Sequence, residues 1–85
     1  MKTFYEIKEN GRVTKMYGED EERLAIDMYR KSRSYAPENR PNLFRKQTDE
    51  LGMLKWIHGY EERRRVWVEE GEFVDGNFLH RKATR

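Results

Sequence analysis

Asn10-Gly11, set between FYEIKE and RVTKMY, dictates a tight reversal of the chain near its start. A type I′ turn needs positive φ at both central residues, and Asn-Gly tolerates this best, so Phe4 to Tyr17 is predicted to be a β-hairpin. Counted outward from a two-residue turn, Glu9 faces Arg12, Ile7 faces Thr14, Glu6 faces Lys15 and Tyr5 faces Met16. Both charged pairs are then of opposite sign, and Tyr5, Ile7 and Met16 share one face, with Phe4, Val13 and Tyr17 on the other.

The rest of the chain must supply that hairpin with a core. At 85 residues the chain fits one domain, taken as 1–85. Only 35% of residues are hydrophobic and 40% are charged, but 13% are aromatic, which argues against disorder. Tyr5, Phe44, Trp56 and Trp67 are large enough for a few rings to sustain a small core. There is no cysteine, hence no disulfide and no thiolate chemistry. No signal-peptide pattern and no long apolar run is present, so a cytoplasmic location is expected.

Net charge is +2 but unevenly spread. Between Gly18 and Tyr29, Glu19, Asp20, Glu21, Glu22 and Asp27 outweigh Arg23; from Arg30 to Lys46, six bases face Glu38 alone. EDEERLAIDMYRKSRSYA reads as an amphipathic helix from Asp20, its N-cap, to about Tyr35. Leu24, Ala25, Met28, Tyr29, Ser32 and Tyr35 lie on one arc. Acids in the first turn and bases in the last complement the helix dipole. Pro37 and Pro41 then impose a loop over Ala36 to Asn42.

Leu43 to Thr48 is predicted as a third strand. Asp49 to Arg65 has two readings: a turn at DELG with a returning strand in MLKWI, or a second helix around 48–64. Gly52 and Gly59 count against the helix, at roughly 1 kcal/mol each relative to Ala, and a two-stranded ribbon would be marginal alone, so strands are favoured. Arg65-Val66-Trp67-Val68-Glu69 alternates as a strand, which puts Arg64 on the opposite face from Arg63 and Arg65. Glu70-Gly71 and Asp75-Gly76-Asn77 read as turns around Phe73-Val74, Phe78-Leu79 as a last short strand, and the basic tail 80–85 as frayed. The expected fold is a small α+β domain: a ββα start, with one helix packed on an antiparallel sheet that C-terminal strands complete.

The search for chemistry is negative. No glycine-rich phosphate loop is present, and His58 and His80 stand in no metal-ligand spacing. Ser32 and Ser34 have no histidine beside them, so neither a catalytic residue nor a metal nor a cofactor is expected. Two binding readings remain. A non-enzymatic adaptor or inhibitor acting on a protein partner is preferred, since aromatic residues and arginine anchor interfaces. Small, charged, cysteine-free chains of this kind are common among phage and mobile-element accessory proteins that bind a host factor. The alternative is a nucleic-acid-binding domain whose basic clusters work with Trp or Tyr stacking. For either, the expected contact residues are Arg63, Arg64, Arg65 and Trp67, with Arg30, Lys31 and Arg33 as a second cluster. Exposed sheet edges also admit a homodimer.

Overall fold

The computed structural model describes residues 1–80. Its elements are β1 (Lys2–Glu9), β2 (Arg12–Tyr17), α1 (Glu22–Tyr35), β3 (Asn42–Thr48), β4 (Leu54–Glu61), β5 (Val66–Val74) and β6 (Asn77–His80). The six strands form one antiparallel sheet in the order β2-β1-β3-β4-β5-β6, an α+β fold with the single helix on one face. Residues 54–61 are a strand, which overturns the second-helix reading; Gly52, at φ +83°, closes the turn before it. The fraying expected of the tail falls mostly on 81–85, outside the described residues, whereas His80 closes β6.

The turn at Asn10-Gly11 forms as expected, with φ of +54° and +78°. The register beyond it does not. Glu9 faces Arg12 and Lys8 faces Val13, but Ile7 then faces Lys15, Glu6 faces Met16 and Tyr5 faces Tyr17, leaving Thr14 as a bulge. The Thr14 hydroxyl lies 2.8 Å from the Glu9 carboxylate, which also pairs with Lys15 at 3.4 Å. Because the bulge reverses the facing of everything after it, Tyr17 joins Tyr5 and Ile7 on the helix side. Met16 is left 62% exposed on the other.

The helix begins later than predicted. Residues 19–21 form a 3₁₀ turn, and the Glu21 carboxylate reaches back to the Gly18 N–H at 2.8 Å, so Asp20 is not the cap. Ala25, Tyr29 and Ser32 are buried at the centre of the expected arc, but Leu24 and Tyr35 at its margins are exposed. The core lies between α1 and β1–β3. Tyr5, Ile7, Ala25, Tyr29 and Leu43 are buried, and Tyr17, Ile26, Met28, Tyr60 and Trp67 pack around them. A run of rings closes it: Tyr29 meets Tyr60 edge-on at 5.9 Å, Tyr60 meets Trp67 at 5.1 Å, and Trp67 meets Tyr5 at 5.6 Å.

Gly71 is not at a turn but buried inside β5. A Cβ there would meet the carbonyl oxygen of Leu79 and the Phe78 ring, so β6 can lie this close only over a glycine. Gly71→Ala is expected to destabilise by about 1–3 kcal/mol, read by urea denaturation. A loss below about 0.5 kcal/mol would mean that β6 does not pack there as described.

Candidate interaction surfaces

Every strand is antiparallel to its neighbours, so successive connections alternate between the two ends of the molecule. At one end lie the segments 18–21, 49–53 and 75–76, which carry Glu19, Asp20, Glu21, Asp49, Glu50 and Asp75 and no base. At the other lie the 10–11 turn, the 36–41 segment, the 62–65 turn and the last turns of α1. Those segments carry six arginines and Lys31 against Glu38 and Glu62, with Glu61 at the end of β4 beside them.

The expected cluster residues gather at this basic end, with one exception. Arg63, Arg64 and Arg65 occupy the exposed β4–β5 turn rather than a strand, so the alternation expected of them does not apply. Arg30 grips Glu62 with two parallel hydrogen bonds, Nε to Oε2 and Nη2 to Oε1, each 2.9 Å, and donates to the Tyr60 hydroxyl at 3.3 Å. The hydrogen bond from Arg30 holds the Glu62 carboxyl below its usual range. Arg64 grips Glu61 in the same way, at 2.6 and 2.8 Å, with the same effect on Glu61. The Arg33 guanidinium lies over the Tyr29 ring at 5.7 Å. Lys31 is exposed on the outer side of the helix. Among the described residues Arg33, Arg40, Arg63 and Arg65 form no close ion pair with a carboxylate, although the charges of Arg33 and Arg65 act on Glu62 and that of Arg63 on Glu61.

Trp67 stands apart from that cluster. Its ring is held between Tyr5, Tyr60 and the Arg45 guanidinium, and its indole N–H donates to Glu22 at 2.8 Å, at the start of the helix. Beside it, His58 carries a buried Nδ1 without a partner; burial first, and then the Arg45 charge, push its pKa down.

Two features of the basic end are not legible in the sequence, an exposed ring and left-handed arginines. Tyr35, expected inside the helix arc, is 87% exposed. Arg40 takes φ +50° and ψ +59°, a left-handed conformation that favours glycine or asparagine, immediately before Pro41. Arg65 does likewise, at φ +56°. The other non-glycine residues at positive φ are Asn10 and Asp75, both in hairpin turns that suit them.

The second surface is the sheet face away from the helix, on which no layer packs. Pairing places Phe4, Phe44, Ile57, Val68, Phe73 and Phe78 there. None belongs to the buried core, and Val66 and Val68 are each 40% exposed. Glu6 and Lys46 form a half-sunken ion pair among them at 2.5 Å. A hollow of about 280 Å³ lies at Gly59, lined among others by Phe44, Glu61, Val68 and Glu70, with the Glu70 side chain lying over the glycine. Gly59 differs from Gly71: a Cβ would meet only the movable Glu70 side chain, its nearest carboxylate oxygen at 2.5 Å. Glu70 is the bulge residue of β5 and has no cationic partner among the described residues.

The exposed edges are β2, marked by the Thr14 bulge and Lys15, and the short β6. Among the described residues no group of acidic and histidine side chains could hold a metal ion, and no helix is long and apolar enough to cross a membrane. The fold thus defines a one-helix, six-stranded α+β protein with a basic end and an uncovered apolar sheet face. No protein-family model, curated protein or solved structure matches the chain.

Proposed function

We propose that this is a non-enzymatic binding protein, an adaptor or inhibitor, that covers a protein partner with the sheet face away from its helix. The observation that carries this reading is the uncovered face itself. An antiparallel sheet that faces water on one side ordinarily alternates polar residues onto that side, whereas this one sets half-buried phenylalanine and isoleucine and exposed valine across five strands, beside Glu6, Lys8 and Lys46.

The hollow over Gly59 supports a partner of particular chemistry. A glycine inside a strand weakens it, and Gly59 is not required by backbone crowding as Gly71 is. Its use makes room for the Glu70 carboxylate over the strand, in a hollow lined also by Phe44, Val68 and Glu61. A lysine or arginine of the partner fits there, its stem against Phe44 and Val68 and its charge beside Glu70.

The test is capture from lysate of the source cells after nuclease treatment, using wild type, Gly59→Leu and Val68→Asp. Both positions lie outside the core, so both variants should melt within a few degrees of wild type. A discrete protein retained by wild type and lost at least tenfold by both variants is the expected result. Retention unchanged in both, or release of everything by nuclease, would remove this reading.

A further inference from the structure

The basic end poses a separate question, because it keeps arginines where the backbone is better served by glycine. A turn that ends in the left-handed region ordinarily takes glycine or asparagine, since other side chains cost of order 1 kcal/mol there. Arg40 and Arg65 both carry that cost, and both belong to the same end of the molecule. Arg40 lines a shallow groove of about 470 Å³ together with Arg30, Arg33, Ser34, Pro37 and Pro41. The groove is fixed on the hairpin: the Asn10 N–H donates to the Asn39 carbonyl at 2.7 Å, and the Asn39 amide reaches Glu9. Arg65 approaches from the β4–β5 turn, close enough that its charge acts on Glu62, the carboxylate that Arg30 grips. Tyr35, the last residue of the helix, presents a ring that is 87% exposed on the side turned away from Arg33.

We infer that the basic end binds the phosphodiester backbone of single-stranded nucleic acid, with Tyr35 as the platform on which a base stacks. Arginines from three separate segments suit a ligand whose charges repeat along its length, where a lone carboxylate would need one fork. The molecule's own carboxylates, Glu61 and Glu62, form close ion pairs with Arg64 and Arg30, and Arg33, Arg40, Arg63 and Arg65 keep their hydrogen-bond donors free of a carboxylate. An exposed ring at the same end of the molecule as these arginines suits the stacking mode of single strands, whose bases are free to leave one another. The acidic turns lie at the far end, where they do not oppose the phosphates.

The probe is a fluorescein-labelled oligothymidylate of about 20 nucleotides, its anisotropy followed across a salt series, with a duplex of equal length and polyglutamate as competitors. Wild type should bind at low salt, more tightly than it binds the duplex. Tyr35→Ala should weaken binding at least about fivefold at every salt concentration. Arg40→Gly and Arg65→Gly should each flatten the slope of log K against log salt by about 0.7. Both glycine variants should melt at or above the wild-type temperature, because they relieve the left-handed backbone; this separates lost contact from lost fold. Val68→Asp should bind the oligonucleotide as wild type does, which keeps this result independent of the sheet-face reading. Overturning outcomes are no binding at low salt, unchanged affinity and slope in all three variants, tighter binding of the duplex, or equal displacement by polyglutamate at matched charge.

Discussion

Leu43→Ala is expected to lower the melting temperature by roughly 12–24 °C, followed by circular dichroism. Leu43 is 1% exposed and stands opposite Ile7, which is fully buried, beneath Ala25 and Tyr29 of the helix. Truncating such a leucine removes its transfer free energy and leaves a cavity, together about 3 kcal/mol. In a chain of this length each kcal/mol moves the midpoint by about 4–8 °C. The loss is large because the core is thin: among the described residues five hydrophobic residues are buried, on one side of the sheet only. Ile7→Ala should act alike. Leu51→Ala, at a side chain 88% exposed, should shift the midpoint by no more than about 2 °C. A shift below about 4 °C for Leu43→Ala would show that the helix does not seat on β1 and β3 as described.

The second large effect is expected at the ion pair on the opposite face. Lys46 Nζ and Glu6 Oε1 are 2.5 Å apart, with side chains only 15% and 10% exposed. Removing one partner of such a pair strands the other charge, so Lys46→Met should destabilise by about 3–5 kcal/mol. Glu6→Leu should cost less, because the long lysine stem can carry its ammonium to water whereas Glu6 has no such reach. The double variant, Glu6→Leu with Lys46→Met, should recover most of the loss, since two apolar groups in place of a sunken pair are commonly neutral or stabilising. Urea denaturation of all four proteins gives the coupling energy. Additive losses would mean that the two charges are solvated separately, and the pair would then hold nothing in place.

Where sequence reading succeeded, the determinants were local. Asn10-Gly11 and Asp75-Gly76 form their turns because the φ values they need are set by those residues alone. The helix from Glu22 to Tyr35 follows from its periodicity, its charge order and Pro37 beyond it. Two glycines and the need of the hairpin for neighbours point to a strand between Leu54 and Glu61, and the sheet places it between β3 and β5.

What went astray was decided across the sheet. The hairpin register fails after Lys8 because Tyr17, not Met16, must reach the helix, and a bulge at Thr14 achieves this without disturbing the turn. Gly71 resembles a turn glycine until β6 returns over it. The ring contacts of Trp67, with Tyr60 on the neighbouring strand and with Tyr5 far away in the chain, also follow from the assembled sheet.

By itself, then, the sequence determined the turns, the helix, most of the strands and the sign of each local charge run, since dihedral preferences and helix electrostatics act within a few residues. Tertiary structure decided which face of each strand is covered, which rings are core, and that arginines from positions 30 to 65 meet at one end while the acidic turns gather at the other. Those outcomes depend on pairings between residues tens of positions apart. The alternation of strand directions sorts connections into two ends, a property of the assembled sheet rather than of any segment within it.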